Sequence, residues 1–193
     1  MTGRLRLTGG ALSRRLIDVP PAADRGTLRP TSDKVREALF SSLGSRIDFD
    51  GRVVVDLCCG SGALGFEALS RGAASCSFVD VDRKTLAVVS KNAAALDVVG
   101  RCRFVGEQAH RFLAQQLAGS VDLVFFDPPY ALALDAPLRV GLAALLAPDG
   151  WLVLERAAKS VDPPIEGLSV VDERRYGDTR LVFLQRPPPR EQQ

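Results

Sequence analysis

The stretch DLCCGSGALG, residues 56–65, decides the fold of this chain. Its three glycines follow the spacing G-x-G-x-x-G, which allows a tight turn and lets the backbone approach a ligand closely. A carboxylate, Asp80, follows 20 residues after Gly60, at the end of the next apolar segment. An acid in that place can accept hydrogen bonds from both hydroxyls of a ribose. The sequence therefore predicts a cofactor that contains a nucleoside.

Around this stretch, apolar segments of strand length alternate with segments of helical periodicity. The predicted strands are residues 52–57, 75–81, 102–106, 121–127 and 150–156, and the predicted helices are residues 63–71, 83–96, 108–117 and 136–146. This order is typical of an α/β fold with a Rossmann-like, doubly wound parallel sheet. The alternation then ends, because residues 168–176 and 179–185 flank Gly177-Asp178 and predict an antiparallel hairpin at the sheet edge.

Two cofactors fit the glycine loop, and Asp56 discriminates between them. A dinucleotide places its pyrophosphate at the start of the helix, where a carboxylate four residues before Gly60 would repel it. The same carboxylate would tolerate, and could orient, the cationic methionine part of S-adenosylmethionine. The antiparallel edge hairpin also departs from the sheet of dinucleotide-binding proteins. These features favour S-adenosylmethionine over NAD.

The motif DPPY, residues 127–130, closes the most apolar predicted strand and faces the same crevice as the glycine loop. Its two prolines restrict the backbone, so that Asp127 and the carbonyl group of Pro128 point in set directions. Two convergent acceptors suit an exocyclic NH2 group, whose lone pair they direct towards an electrophilic methyl group. Tyr130 offers a flat ring on which a base can stack. The alternative is a helix N-cap within a proline-rich turn.

The charge of the chain is unevenly distributed. Residues 1–36 carry a net charge of +5, whereas the rest of the chain carries −3. This asymmetry predicts a basic segment for a polyanion such as RNA, and a solvated basic surface is the alternative. The candidate RNA-binding residues are Arg4, Arg6, Arg14, Arg15 and Arg29.

The same N-terminal part also shows local structure signals. LRL (5–7) and RRLIDV (14–19) predict a β-hairpin, and a helix follows from about residue 31 to a stop at Gly44. The predicted division is a basic RNA-binding arm at 1–30, a cofactor-binding domain at 31–186 and a tail at 187–193. Because the parallel sheet begins only near Arg52, the arm is expected to add little to the core. In the alternative, the hairpin covers an apolar face of the sheet.

Composition excludes several classes of protein. A chain of 193 residues with 46% hydrophobic residues suits one folded domain and excludes a largely disordered protein. No apolar run approaches the ~20 residues of a membrane span, and the first ten residues lack the core of a secretory signal. We therefore expect a cytoplasmic protein whose cysteines, Cys58, Cys59, Cys76 and Cys102, are reduced thiols. Since His110 is the only histidine, no metal site is predicted.

The glycine loop and the acceptor motif together carry a family resemblance. DLCCGSGALGFEAL followed by DPPY resembles S-adenosylmethionine-dependent amino-methyltransferases of nucleic acid. GGALSRRLIDVP and LRPTSDKVREALFSSL resemble the bacterial RsmD family of 16S rRNA guanine-N2 methyltransferases, in which an Arg-Pro-Thr signature, here residues 29–31, introduces a helix before the sheet. The closing RRYGDTRLVFLQR fits that family's last hairpin. The resemblance spans residues 9–186 and implies a class I methyltransferase sheet with a small N-terminal hairpin and helix.

The resemblance also implies roles for particular residues. The implied cofactor-binding residues are Asp56, Cys58, Gly60, Gly62, Asp80, Val81, Gln108 and Ala109. Among them, Asp80 would hold the ribose hydroxyls and Val81 would pack on the adenine ring. Gln108 departs from the family, because an acid often occupies this position; its amide oxygen can still accept a hydrogen bond from the adenine amino group. The backbone N–H of Ala109 can donate to the ring. The implied acceptor site consists of Asp127, Pro128 and Tyr130.

The reaction implied is transfer of a methyl group to the exocyclic N2 of a guanine in 16S rRNA, with guanine 966 as the family target. The partner would be 16S rRNA within the 30S subunit or an assembly intermediate, bound by a monomer that needs neither metal nor membrane. A DNA adenine-N6 methyltransferase shares DPPY but normally has a larger target-recognition region. A nicotinamide-dependent dehydrogenase is disfavoured by Asp56 and DPPY. A non-catalytic RNA-binding module would not need Asp80 and Asp127 intact.

Overall fold

The computed structural model describes residues 3–21, 33–129 and 131–188. The strands are β1 (Arg4–Arg6), β2 (Leu16–Asp18), β3 (Val53–Leu57), β4 (Ser75–Val79), β5 (Cys102–Val105), β6 (Val121–Phe126), β7 (Leu146–Ala157), β8 (Ser169–Tyr176) and β9 (Thr179–Gln185). The helices are α1 (Asp33–Gly44), α2 (Ala63–Ser70), α3 (Arg83–Ala95), α4 (Ala109–Ala114) and α5 (Ala136–Leu145), with a 3-10 turn at Val99–Arg101. Helix α1 ends at the predicted Gly44, whereas its predicted start at about residue 31 lies outside the described residues.

The central sheet has seven strands in the order β5-β4-β3-β6-β7-β9-β8. Strands β3 to β7 are parallel, and β9 and β8 join the far edge as antiparallel neighbours. The predicted doubly wound sheet and its C-terminal hairpin are therefore confirmed. The chain runs outward in both directions from the neighbouring strands β3 and β6. In such sheets, ligands bind beyond the carboxyl ends of the strands at this switch point.

Helices cover both faces of the sheet because its strands are apolar on both sides. On one face, α1, α2 and α3 pack into a cluster that includes Phe40, Phe66 and Phe125. On the other face, α4 and α5 pack into a second cluster that includes Phe112 and Phe126. Consecutive residues of β6 thus point to opposite faces, as strand geometry requires. Among the residues described, no helix combines the length and apolar character needed to cross a membrane.

Strand β7 begins earlier than predicted. Its pairing with β6 shifts register between Val121 and Leu123, so that Leu146 pairs with Val121 and Trp151 with Leu123. The residues between form an irregularity in which Asp149 has a φ of 61°. Pro148-Asp149-Gly150 is a typical turn sequence, which explains why the pattern predicts a strand only from residue 150.

The N-terminal hairpin, formed by β1 and β2, packs against the body of the protein. Leu7 and Ile17 are almost fully buried and belong to the same apolar cluster as α1, α2 and α3. Asn92 of α3 accepts a hydrogen bond from the backbone N–H of Asp18 and donates one to its carbonyl oxygen, both at 2.9 Å. The expectation that the segment adds little to the core is therefore wrong, because its apolar side chains lie inside that core.

Polar contacts with α2 lock the hairpin in place. Glu67 accepts hydrogen bonds from the backbone N–H and the hydroxyl of Thr8. Gly10 adopts a φ of 75°, and a Cβ there would lie 1.9 Å from the carbonyl oxygen of Ser70. Only glycine tolerates both the left-handed backbone and this approach. Arg36, counted above among the basic residues, is fully buried and pairs with Glu67 at 3.2 Å, so it cannot contribute to a basic surface.

Candidate active site

The glycine loop connects β3 to α2 at the switch point. The N–H of Cys59 donates to the carbonyl oxygen of Val79, which ties the loop to β4 (3.0 Å). Cys58 and Gly60 have φ values of 62° and 51°, so this turn is strongly bent. At Gly62, whose φ is 73°, a Cβ would lie 3.0 Å from the side chains of Phe66 and Val89. The loop therefore lies directly on the core, with its backbone at the edge of the crevice.

Asp56 lies beneath this loop, near the end of β3. Its side chain is almost fully buried, and its Oδ2 accepts the N–H of Gly65 at 2.9 Å. Burial raises the pKa of Asp56 to about 7; the Gly65 hydrogen bond opposes this shift, and the negative charge of Asp80 adds to it. A cationic ligand would favour the ionised form. The role of Asp56 beside the positive part of S-adenosylmethionine stays a prediction.

Asp80 follows the end of β4 and is held in one orientation by two backbone donors. Its Oδ2 accepts the N–H of Gly60 at 3.1 Å, and its Oδ1 accepts the N–H of Asp82 at 2.9 Å. The next side chain, Val81, is 56% exposed, which is unusual for a residue that follows a buried strand. An apolar surface beside a fixed carboxylate suits the adenine and ribose of a nucleoside.

Gln108 and Ala109 lie at the start of α4, beyond the end of the neighbouring strand β5. Gln108 is exposed and makes no side-chain cap contact with the helix. Ala109 is buried in the second apolar cluster. The two residues therefore share the carboxyl edge of the sheet with Val81, the position that the resemblance implies for adenine.

Asp127 follows β6, and its N–H donates to the carbonyl oxygen of Leu57 at 3.4 Å. This contact places the acceptor motif beside the glycine loop. Burial raises the pKa of Asp127 well above its usual range, and the charges of Glu155 and Asp56 add to the shift. Pro128 is buried and Pro129 is exposed. The predicted Tyr130 lies outside the described residues.

Known sequences similar to this chain agree with the geometry of the site. Residues 5–185 match the family model described as "Conserved hypothetical protein 95". The chain is 39% identical over 163 residues to "Ribosomal RNA small subunit methyltransferase D" of Escherichia coli strain K12, covering 80% of this chain and 72% of that protein. A protein of the same name from Haemophilus influenzae is 32% identical over 152 residues, covering 78% and 74%. This chain belongs to the RsmD family.

A solved structure agrees with this assignment. Escherichia coli yhhF, described as a candidate methyltransferase, superimposes with a TM-score of 0.81 at 32% identity, covering 96% of this chain and 99% of that one. The fold is therefore the class I methyltransferase sheet, with its N-terminal hairpin and its C-terminal antiparallel strands. This member of the RsmD family therefore carries both the N-terminal hairpin and the C-terminal antiparallel strands beside its parallel sheet.

Glu155 on β7 is a residue of this RsmD-family crevice that sequence reasoning missed. Phe126 pairs with Leu154, so Asp127 and Glu155 occupy the next position on adjacent parallel strands and point to the same side of the sheet. Glu155 is buried, and its charge acts on Asp127. The signal was the charged pair Glu155-Arg156 inside an otherwise apolar strand.

The predicted arginines of the hairpin lie on its surface. Arg4, Arg6, Arg14 and Arg15 are exposed. Arg4 pairs with Asp18 at 3.1 Å, and Arg15 donates to the carbonyl oxygen of Ala95. Arg29 lies outside the described residues. Within those described, no group of three or more His, Cys, Asp and Glu side chains could hold a metal ion.

Proposed function

We propose that this protein transfers a methyl group from S-adenosylmethionine to the exocyclic N2 of a guanine in 16S rRNA, with guanine 966 as the target. The observation that carries the proposal is the placement of Asp56, Asp80 and Asp127 at the ends of three adjacent parallel strands, beside the glycine loop. The relatives named ribosomal RNA small subunit methyltransferase D support the RNA substrate.

The cofactor would lie across the glycine loop. When bound, S-adenosylmethionine supplies an electrophilic methyl group on a cationic sulfur. Asp80 would accept hydrogen bonds from the ribose hydroxyls, and Val81 and Gln108 would flank the adenine. Asp56 would face the positively charged methionine part, whose charge offsets the cost of ionising a buried carboxyl group.

Asp127 would align the target amine. Its carboxylate and the carbonyl of Pro128 would accept the two N–H bonds of the guanine N2, so that the nitrogen lone pair faces the methyl carbon. As the N–C bond forms, positive charge develops on nitrogen, and the ionised Asp127 stabilises it. The nitrogen then loses its additional proton. Because burial raises the pKa of Asp127, this carboxylate is a suitable acceptor for that proton.

Different parts of the protein would contact the target base and the RNA backbone. The guanine must leave its stack to reach the crevice, which costs least in a single-stranded loop. Tyr130 would stack on the base. The exposed arginines of the hairpin, with Arg29, would contact phosphates and so position the RNA without reading its sequence. The substrate would be 16S rRNA in the 30S subunit or an assembly intermediate, in the cytoplasm.

Transfer of tritiated methyl groups to 16S rRNA, free and in 30S particles, tests this function, with the modified nucleoside identified after digestion. We expect N2-methylguanosine from wild-type protein. Asp127→Asn should reduce turnover by at least about 100-fold and leave the cofactor affinity within about threefold, since its role lies in alignment and charge stabilisation.

Asp122→Asn is a matched control on the same strand. Asp122 accepts the N–H of Val53 at 2.8 Å at the opposite end of β6, and asparagine can still accept this bond. Its turnover should equal that of the wild type. Retained turnover in Asp127→Asn would remove this residue from catalysis, and methylation of adenine in duplex DNA instead of rRNA would overturn the proposed function.

A further inference from the structure

A buried arginine on β7 joins two loops at the carboxyl edge of the sheet. Arg156 Nε donates to Oδ1 of Asp162 at 3.0 Å, and its Nη1 donates to the carbonyl oxygen of Leu132 at 3.1 Å. Leu132 belongs to residues 131–135, here called the acceptor loop, which follow the DPPY motif. Asp162 belongs to residues 158–168, here called the rim loop, which connect β7 to β8. One guanidinium therefore links both loops.

A second arginine fixes the first. Oδ2 of Asp162 accepts a hydrogen bond from Arg180 of β9 at 2.8 Å, so this carboxylate bridges two guanidinium groups. The side chains of Arg156, Asp162 and Arg180 are only 7%, 12% and 14% exposed. Because desolvation opposes buried ion pairs, such a triad adds little to stability compared with apolar packing of the same volume. Its geometric role is the more informative one.

That geometric role concerns the acceptor loop. The N–H of Leu132 donates to the carbonyl oxygen of Pro129 at 2.8 Å, and its own carbonyl accepts from Arg156. Both backbone polar groups of Leu132 are thus engaged, which sets the direction in which the chain leaves the DPPY motif. The preceding residue on β7, Glu155, points to the opposite face of the sheet from Arg156, the face that it shares with Asp127.

The rim loop itself faces solvent along much of its length. Val161 is 96% exposed, and Lys159 and Pro163 are exposed as well. Ile165 is buried in the apolar core, and the partly buried Leu168 packs against it at the end of the loop. Asp162, through its two arginine partners, therefore ties the exposed middle of this loop to β7 and β9.

We propose that Arg156 is a positioning residue for the target nucleotide: it holds the acceptor loop in the form that receives the base and fastens it to the rim loop, while Asp162 and Arg180 orient its guanidinium. This inference rests on the proposed function for its kinetic consequences. Lysine cannot replace arginine here, because an ammonium group lacks the planar fork that reaches two acceptors in different directions.

The experiment compares Arg156→Met, Arg156→Lys and Asp162→Asn with the wild type. The measurements are kcat and KM for 16S rRNA, cofactor affinity, melting temperature, and hydrogen exchange of residues 131–135. We expect kcat/KM for RNA to fall at least tenfold in both Arg156 variants, since small misplacements of a reacting group have effects on the order of 100-fold. Cofactor affinity should stay within about twofold, and exchange in the acceptor loop should rise.

Arg186→Met is the matched control. Arg186 also donates to backbone carbonyls, those of Ala143 and Leu146, but at the opposite end of the sheet. It should lower the melting temperature and leave kcat, KM and exchange of residues 131–135 unchanged. If Arg156→Met behaves like this control, the positioning role is wrong.

The two proposals fail in different ways. A wild-type protein that does not methylate 16S rRNA overturns the proposed function, while exchange in Arg156→Met still reports on the acceptor loop. Unchanged exchange in all three variants overturns the positioning role even if the enzyme is active. Should Arg156→Met not fold, Asp162→Asn carries the test, because it preserves both arginines and removes the charge and one of the two acceptor oxygens that orient them.

Discussion

Two buried carboxylates on one side of the sheet, Glu67 on α2 and Asp56 on β3, have opposite surroundings. Glu67 accepts hydrogen bonds from the backbone and the hydroxyl of Thr8, and it pairs with Arg36 and Arg71. Asp56 accepts the N–H of Gly65, and the neighbouring charge that shifts its pKa is a second carboxylate. One charge is compensated by arginines, and the other faces another acid.

This difference distinguishes a carboxylate that stabilises the fold from one that belongs to a functional site. A buried charge costs several kcal/mol unless it is paired and hydrogen-bonded. At Glu67 the fold supplies the pairing, and the same contacts attach the N-terminal hairpin. At Asp56, Asp127 and Glu155 acids gather at one edge of the sheet, and burial raises the pKa of both aspartates. Such a cluster is unfavourable for folding alone and favours a cationic ligand, which is the pattern of a functional site.

The largest effect in this comparison is expected from removing the carboxylate of Glu67. Glu67→Ala leaves Arg36 buried without its carboxylate, so we expect the free energy of unfolding to fall by about 3–5 kcal/mol, as for other broken buried ion pairs. Urea denaturation measures the change. Glu166→Ala removes an exposed carboxylate and should change stability by less than about 0.5 kcal/mol. A loss below about 1 kcal/mol at Glu67 would mean that the hairpin is attached mainly by apolar contacts.

The same contrast explains what the sequence could reveal. Asp56, Asp80 and Asp127 each end an apolar strand, and the carboxyl ends of parallel strands meet at one edge, so their proximity follows from the pattern. Glu67 and Arg36 lie on separate helices, where charges usually face solvent. Their burial depends on the docked hairpin, a long-range contact that local periodicity does not encode. The triad of Arg156, Asp162 and Arg180 escaped prediction for the same reason.

Asp80→Ala should have the next largest effect, on cofactor binding. Losing a charge-assisted acceptor for the ribose should weaken S-adenosylmethionine binding by about 1.5–3 kcal/mol, measured by isothermal titration. Because Asp80 also accepts the N–H of Gly60 and of Asp82, part of this loss comes from a looser glycine loop. Asp178→Ala, an exposed acid at the tip of the β8–β9 turn, should leave the affinity unchanged. If Asp80→Ala binds S-adenosylmethionine as tightly as Asp178→Ala does, the ribose is held by other residues.

The raised pKa of Asp56 predicts how pH acts on the crevice. Its ordinary pKa of 3.8 becomes about 7 in the folded protein, so the folded state holds a proton that the unfolded state has lost between these values. The stability contributed by this group is therefore present below pH 4 and declines as pH rises to 7. Binding of a cation requires the ionised form. Cofactor affinity should fall up to tenfold, about 1.4 kcal/mol, for each pH unit below 7.

Asp56→Asn isolates this effect from other titrating groups, Asp127 above all. The amide cannot ionise, so cofactor affinity in the variant should be weaker at pH 8 and nearly constant between pH 5 and 7. Titrations at several pH values measure both slopes. A variant that keeps the slope of the wild type would assign the proton to another carboxyl group.

The smallest effects are expected from substitutions of single arginines on the hairpin. Their exposed charges contrast with the buried, paired charge of Glu67. Each phosphate contact contributes roughly 0.7–0.9 to the slope of log K against log salt. Arg14 is exposed, so Arg14→Ala should flatten the slope for 16S rRNA by about that amount. Arg4 pairs with Asp18 at 3.1 Å, and this acid competes with phosphate, so Arg4→Ala should flatten the slope less.

Arg175→Ala, on the exposed β8 edge, is the control and should leave the slope unchanged. Because Leu7 and Ile17 anchor the hairpin independently of these arginines, the melting temperature should not move. An unchanged slope in both hairpin variants would restrict the hairpin to its structural role and assign RNA binding to another surface.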